Sequence, residues 1–206
     1  MQGKFITFEG SEGCGKSTQS KLLYRYLKGK GLKAVYLREP GGNKISEKIR
    51  KILLDHRNDS ITPVTETLLY MAARAQVVDE IIAPALKQGK IIVCDRFMDS
   101  TIAYQGYGLG IDINLIKCVG KFATSGIKPD FTIFLDLPLR KGLRYRQYTK
   151  DRIERRSLNY HSRVLKGYLE LAHKDPKRIK IVKVEKDIDK TQSEIRKLVD
   201  KLLCHS

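Results

Sequence analysis

A short apolar run, Lys4-Phe5-Ile6-Thr7-Phe8, leads directly into Gly10-Ser11-Glu12-Gly13-Cys14-Gly15-Lys16-Ser17. No other feature restricts the chain so tightly, because G-x-x-x-x-G-K-[ST] set between a strand and a helix has one well-defined physical use. Its glycines let the backbone curl until successive N–H groups converge on phosphate oxygens, and a helix beginning near Lys16 adds its positive dipole end. In such a loop Lys16 bridges the β- and γ-phosphates of a nucleoside triphosphate and the Ser17 hydroxyl ligates Mg²⁺.

The rest of the chain alternates strand-like and helix-like segments, which predicts an α/β fold with a largely parallel sheet. Strands are expected at Lys4–Glu9, Ala34–Leu37, Ile91–Asp95, Phe131–Asp136 and Ile179–Val184, all short apolar runs of the kind that are covered on both faces. Helices are expected at Lys16–Lys28, Lys44–Leu54, Thr65–Gln88 with a kink at Pro84, Ile113–Thr124, a basic stretch from Leu139 to Ala172, and Thr191–Leu203. There is no repeat and no linker. One doubly wound domain spanning residues 1–206 is expected, with its ligands at the carboxyl ends of the strands.

Composition narrows the classes. With 206 residues, 41% hydrophobic and 31% charged, the chain has the make-up of a globular protein, and no apolar run approaches a membrane span. The first ten residues lack the apolar core of a signal peptide, so a cytoplasmic location is expected. Cys14, Cys94, Cys118 and Cys204 are widely spaced and read as free thiols. The formal net charge is +17, which suits nucleic acid, an anionic membrane or small polyanions, and the placement of the charge has to decide between them.

Among proteins with this loop, a GTPase usually reads guanine through Asn-Lys-x-Asp, and the segment Asn43-Lys44-Ile45-Ser46 lacks the Asp. A motor needs a nucleic-acid track and further domains. From Arg140 to Arg156 there are eight basic and two acidic residues, with no stacking platform for successive bases. Guanidinium groups on a closing lid stabilise a moving phosphoryl group and exclude water. Residues 140–156 therefore read as a lid, although any single Arg there also fits a solvated helix face.

Arg38-Glu39-Pro40-Gly41-Gly42, Asp95-Arg96-Phe97, Ala103-Tyr104-Gln105-Gly106 and Asp151-Arg152-Ile153-Glu154, taken with the loop at 10–17, resemble the thymidylate kinase family over essentially the whole chain. The resemblance is to the bacterial type, which has Gly at position 13 and carries its catalytic basic residues on the lid. It implies a three-layer P-loop NTPase fold of the nucleoside monophosphate kinase kind, a five-stranded parallel sheet flanked by helices. It also implies transfer of the γ-phosphoryl of ATP to dTMP with Mg²⁺, and a homodimer. Neither a specific nucleic acid nor a membrane is an expected partner. The nearest rivals are a deoxynucleoside kinase or another nucleoside monophosphate kinase, and more remotely a nucleic-acid-binding ATPase.

The acceptor phosphate is already largely dianionic at pH 7, so no general base is required. The site must instead supply cations that hold two polyanions in line. The resemblance places Arg96 and Arg50 on the dTMP phosphate, although Glu47-Lys48-Ile49-Arg50-Lys51 also reads as the polar face of a helix. Asp95 ends a strand where a carboxylate can hold Mg²⁺ or its water opposite Ser17, and Asp136, ending the next strand, is a second candidate. Tyr70 and Arg74 stand four apart on one helix face, a spacing that suits base stacking and carbonyl recognition or, equally, an intrahelical cation–π contact. The resemblance adds Glu39, Ser100 and Gln105 to the dTMP site and puts Tyr104 against the sugar 2′ position. It brings Glu12 to the 3′-OH and to catalysis, and makes Lys16, Arg96 and Arg152 the remaining catalytic residues. ATP would lie on Gly10 to Thr18 (Gly10, Ser11, Glu12, Gly13, Cys14, Gly15, Lys16, Ser17, Thr18) with Arg144 against adenine. Related lids carry an Arg where this chain has Gln147.

Overall fold

The computed structural model describes residues 3–144 and 151–204. Five strands, β1 (Lys4–Glu9), β2 (Ala34–Arg38), β3 (Ile91–Asp95), β4 (Phe131–Asp136) and β5 (Ile179–Lys183), form one sheet in the order β2-β3-β1-β4-β5. Every neighbouring pair is parallel. The expected strands are all present, β2 running one residue longer and β5 one shorter than the sequence suggests.

Alternation along the strands divides the core into two layers, because successive side chains point to opposite faces. Ile6, Phe8, Val93, Ile133 and Leu135 pack with Leu23 and Leu27 of α1 (Lys16–Gly29) and with Ile195 and Val199 near the C-terminus. Phe5, Ile92 and Cys94 face the other way, onto Val77, Val78, Ile82 and Phe97. The result is the expected three-layer arrangement of helices on both faces of a parallel sheet.

Helix starts follow local capping chemistry. Asn43 accepts from Ser46 N at the head of α2 (Lys44–Leu54), and Thr62 accepts from Thr65 N at the head of α3 (Pro63–Val77), with Pro63 in its first turn. That cap starts α3 two residues before the expected Thr65. The single helix expected to run on to Gln88 is instead α3, a wider π-helical segment at Val78–Ile82, and α4 (Ala83–Lys87). Pro84 has no N–H for the helix ladder, and the widened turn ahead of it absorbs that gap.

Two further departures bear on the site. A short helix α5 (Met98–Thr101) continuing into a π-helical stretch, Ile102–Gly108, follows β3 where the sequence announces no helix. After α6 (Ile113–Ala123), the basic stretch from Leu139 is not one helix. It divides into α7 (Leu139–Arg144) and α8 (Leu158–Lys174), because Asp151 Oδ1 accepts from the backbone N–H groups of Ile153 and Glu154 and Ser157 caps α8 through Tyr160 N. The chain closes with α9 (Ile188–Cys204). Among the described residues, no helix is long and apolar enough to cross a membrane.

Strand β1 sits between β3 and β4, where crossovers depart to opposite sides, so its carboxyl end opens into the crevice typical of such sheets. Phe8 aligns with Asp95, and Arg38 with Asp95 on the other side. Loop 10–17, Arg96 and Glu39 therefore leave the sheet at one level.

Candidate active site

The loop after β1 keeps the geometry its glycines allow: Gly10, Gly13 and Gly15 have φ of 149°, 74° and 87°. Helix α1 has no side-chain cap, so its first N–H groups remain free at its positive end. Gly13 has a second reason to be glycine. A Cβ there would lie 2.0 Å from the carbonyl oxygen of Gly142 in α7, and one on Gly142 would lie 2.3 Å from the carbonyl oxygen of Glu12. The loop tip and α7 thus pack closely, backbone to backbone.

Lys16 Nζ curls back to Ser11 O at 2.7 Å and lies 3.6 Å from Cys14 Sγ. The Ser17 hydroxyl donates to Asp95 Oδ2, joining β1's loop to the end of β3. Asp95 Oδ1 is buried without a hydrogen-bond partner. A hydroxyl, a carboxylate and an unmatched carboxylate oxygen at the phosphate loop fit Mg²⁺, which takes few protein ligands and completes its shell with water and phosphate oxygens. Asp136, the second candidate, ends β4 outside the cleft lining.

Beside the loop opens a cleft of about 250 Å³. Its walls bring together Glu12, Gly13, Gly15, Lys16, Ser17, Glu39, Arg50, Tyr70, Arg74, Asp95, Arg96, Ser100, Tyr104 and Gln105 from four separate stretches of chain. Gly10, Ser11, Cys14 and Thr18 belong to the loop and its helix but do not line the cleft.

Arg96 sits at the centre. Its backbone is left-handed, φ 73°, a conformation that costs a non-glycine residue on the order of 1–3 kcal/mol unless its surroundings impose it. They do: its guanidinium donates to Glu12 Oε1 (2.7 Å), Tyr104 OH (3.1 Å), Ser100 Oγ (3.2 Å) and Tyr168 OH (3.3 Å), and lies over the Tyr104 ring. Behind it Glu9, fully buried, accepts from Phe97 N, Ser100 Oγ and Tyr168 OH. Burial, and next the nearby Asp99, push the Glu9 carboxyl up to about 7.

Arg74 is buried and its fork is largely spoken for. Nε donates to Glu39 Oε2 at 2.8 Å, Nη1 to Thr101 Oγ1 at 2.9 Å and Nη2 to Phe97 O at 3.1 Å. Burial holds the Glu39 carboxyl above its usual range despite Arg74, and its Oε1 has no partner. Tyr70 flanks the cleft with its phenol pushed up by burial and by Glu66. Arg50 donates to Pro40 O at 2.9 Å, and burial together with Arg38 lowers its pKa, so a cation held there gains from a phosphate.

The lid residues are placed less as expected. Asp151, Ile153 and Glu154 face the cleft, whereas Arg152 turns away into the protein. Its Nη2 is 2.5 Å from Glu66 Oε2 and its Nε donates to Leu53 O at 3.0 Å. A buried carboxylate 86 residues away in the chain explains this. Arg144's side chain, with Tyr145, Arg146, Gln147, Tyr148 and Lys150, lies outside the described residues. Glu9 and Glu66 are buried carboxylates behind the cleft that the sequence did not single out. The available signals were position alone: Glu9 immediately precedes the loop, and Glu66 stands four before Tyr70 on the same helix face.

A phosphate loop at the switch point of a parallel sheet, opening into an arginine-lined cleft, defines a phosphotransferase of the P-loop class. The family model described as Thymidylate kinase matches residues 8–195. The thymidylate kinase of Thermoanaerobacter sp. (strain X514) is 46% identical over 204 residues, covering 98% of this chain and 100% of the relative. That of Geotalea daltonii is 48% identical over 199 residues, covering 92% and 93%. The crystal structure of thymidylate kinase from Ehrlichia chaffeensis superposes with a TM-score of 0.80 at 32% identity, covering 97% of this chain and all of that one. The chain belongs to the thymidylate kinase family.

Proposed function

We propose that the protein transfers the γ-phosphoryl group of ATP to dTMP, giving dTDP and ADP. The observation that carries this reading is one continuous cleft with the phosphate loop at one end and, at the other, Arg96, Arg50, Tyr70, Arg74 and Gln105. The first two supply charge for an acceptor phosphate, and the last three a ring, a guanidinium and an amide for a base.

In the working enzyme Gly10 to Thr18 hold the ATP phosphates, with Lys16 leaving Ser11 O to meet the β- and γ-oxygens. Arg96 and Arg50 hold the acceptor phosphate in line. Glu12, neutralised by Arg96 and by the Tyr104 hydroxyl, sits where a sugar hydroxyl can donate to it, and Tyr104 crowds a ribose 2′ substituent. Ser100 steadies Arg96, and Glu39 fixes the Arg74 fork. Ser17 and Asp95 would hold Mg²⁺, which supplies charge neutralisation at the transferring phosphate. Segment 140–156 serves as the lid of a single domain, with Arg144 against adenine. Arg152 joins the reacting groups only if it leaves Glu66.

The protein is proposed to be a cytoplasmic homodimer. In support, α3 packs between α2 and α6, and this three-helix face exposes Ile45, Ile52, Val64, Leu68, Leu115 and Phe122, an apolar surface of the kind an interface covers. The test of the activity is ADP release with ATP and Mg²⁺ against dTMP, dUMP, thymidine, dGMP and no acceptor. The expected result is fastest turnover with dTMP. Equal rates with thymidine or with no acceptor would overturn the reading.

A further inference from the structure

Glu66 lies on the same face of α3 as Tyr70 and Arg74 but does not line the cleft; its carboxylate is fully buried. Arg156 grips it with two nitrogens (3.2 Å to Oε1, 2.7 Å to Oε2), Arg152 approaches Oε2, and the Gln105 amide nitrogen donates to Oε1 at 2.9 Å. Three segments thus meet on one carboxylate: the root of the lid, the base-pocket helix α3 and the π-helical stretch after β3.

The consequence falls on Gln105. A glutamine amide has a donor end and an acceptor end, and free to rotate it pairs equally well with a base edge of either polarity. A carboxylate clamped between two guanidinium groups offers acceptors only, so the amide nitrogen must face it. Half a turn of the amide would set Oε1 of Gln105 against Oε1 of Glu66, two acceptors face to face. The side-chain oxygen Oε1 of Gln105, which accepts from no described group, is the end left for the cleft.

We propose that Glu66 is a specificity-determining positioning residue: by pinning the Gln105 amide it presents an acceptor to the acceptor base, selecting the N3–H of an imide base such as thymine and rejecting cytosine, whose N3 is itself an acceptor. The inference rests on the reading of this cleft as the site of a pyrimidine monophosphate. The two guanidinium groups keep Glu66 from being a lone buried charge, so the pin is built into the same node that fixes the lid root.

The test measures kcat and KM for dTMP, dUMP and dCMP at saturating ATP in wild type, Glu66→Gln, Gln105→Ala and the double variant, with thermal unfolding of each. Glu66→Gln is expected to lower the dTMP-to-dCMP ratio of kcat/KM by about tenfold or more, chiefly through KM for dTMP, with KM for ATP within about twofold. dUMP, which carries the same N3–H, should follow dTMP. In the Gln105→Ala background, Glu66→Gln should change the ratio no further. A folded Glu66→Gln variant with the wild-type ratio would overturn the proposal, as would an equal loss of selectivity without Gln105. If Glu66→Gln does not fold, Glu66→Asp replaces it, keeping the charge but drawing it back from Gln105, with the same expected direction and the same overturning result. Wild-type protein that turns over dTMP and dCMP alike also overturns it, whereas wild type with no dTMP turnover refutes the cleft reading itself.

Discussion

Arg96 Nη2 donates to Glu12 Oε1 at 2.7 Å, joining residues 84 apart in the chain, and the Tyr104 hydroxyl donates to the same oxygen at 2.7 Å. A carboxylate inside a phosphate loop repels the loop's own ligand unless a cation answers it, and the answer comes from the end of the neighbouring strand. The cation proposed for the acceptor phosphate thus also makes Glu12 tolerable.

Removing Arg96 should therefore do two kinds of damage. Arg96→Ala takes a donor from the acceptor phosphate and removes the guanidinium bonded to Glu12, so kcat/KM for dTMP is expected to fall by about a thousandfold, ~4 kcal/mol of lost transition-state stabilisation. Arg96→Lys should recover little, because one ammonium cannot reach Glu12, Tyr104, Ser100 and Tyr168 together. Steady-state kinetics with dTMP varied provide the check, and an Ala variant within tenfold of wild type would contradict the assignment.

Lys16 offers the opposite case, a residue whose loss should spare the fold. Among the described residues, its Nζ meets Ser11 O and Cys14 Sγ, both local to the loop. Lys16→Ala is expected to lower kcat by about a thousandfold or more while the unfolding temperature shifts by no more than a few degrees. Turnover at the wild-type rate would remove Lys16 from the mechanism.

Glu9 makes stability depend on pH in a particular direction. Burial and Asp99 raise its carboxyl to about 7 from an ordinary 4.5. Between those values the folded chain keeps a proton that the unfolded chain has released, so this group's contribution is full below about 4.5 and is lost as pH rises through about 7. Glu9→Gln cannot titrate. Urea unfolding at a series of pH values should show wild type losing on the order of 1–3 kcal/mol relative to the variant across that window. A difference independent of pH would contradict the buried-acid account.

Gly13 lies against Gly142 at the start of the proposed lid. Gly13→Ala must push α7 away from the loop, since its Cβ would fall 2.0 Å from Gly142 O, and it also strains a left-handed backbone. A loss of ~1–3 kcal/mol in stability is expected, with KM for ATP rising more than KM for dTMP. Equal effects on the two substrates would mean that α7 does not serve the donor side.

Much of this architecture was legible in the sequence because it is local. The loop and the five apolar strands show as short continuous runs, and α2 falls where its periodicity places it. The π-helical stretch at Ile102–Gly108 was not legible: glycines at 106 and 108 speak against a helix, and packing supplies what propensity withholds. Gly108 lies against Tyr160 and Val164 of α8, where a Cβ would meet the Tyr160 ring at 2.6 Å.

The site divides along the same line. Sequence alone determined which residue types would gather at the cleft, because a glycine loop, an Asp-Arg pair and a Tyr–Arg helical spacing carry their chemistry in their order. Only the tertiary structure decided which way the charges face. Arg152 turns inward to Glu66 while Asp151 and Glu154 face the cleft, and Glu9 backs the network that holds Arg96. A buried carboxylate is stable only where distant donors converge on it, and no period or spacing along one segment specifies a partner 86 residues away.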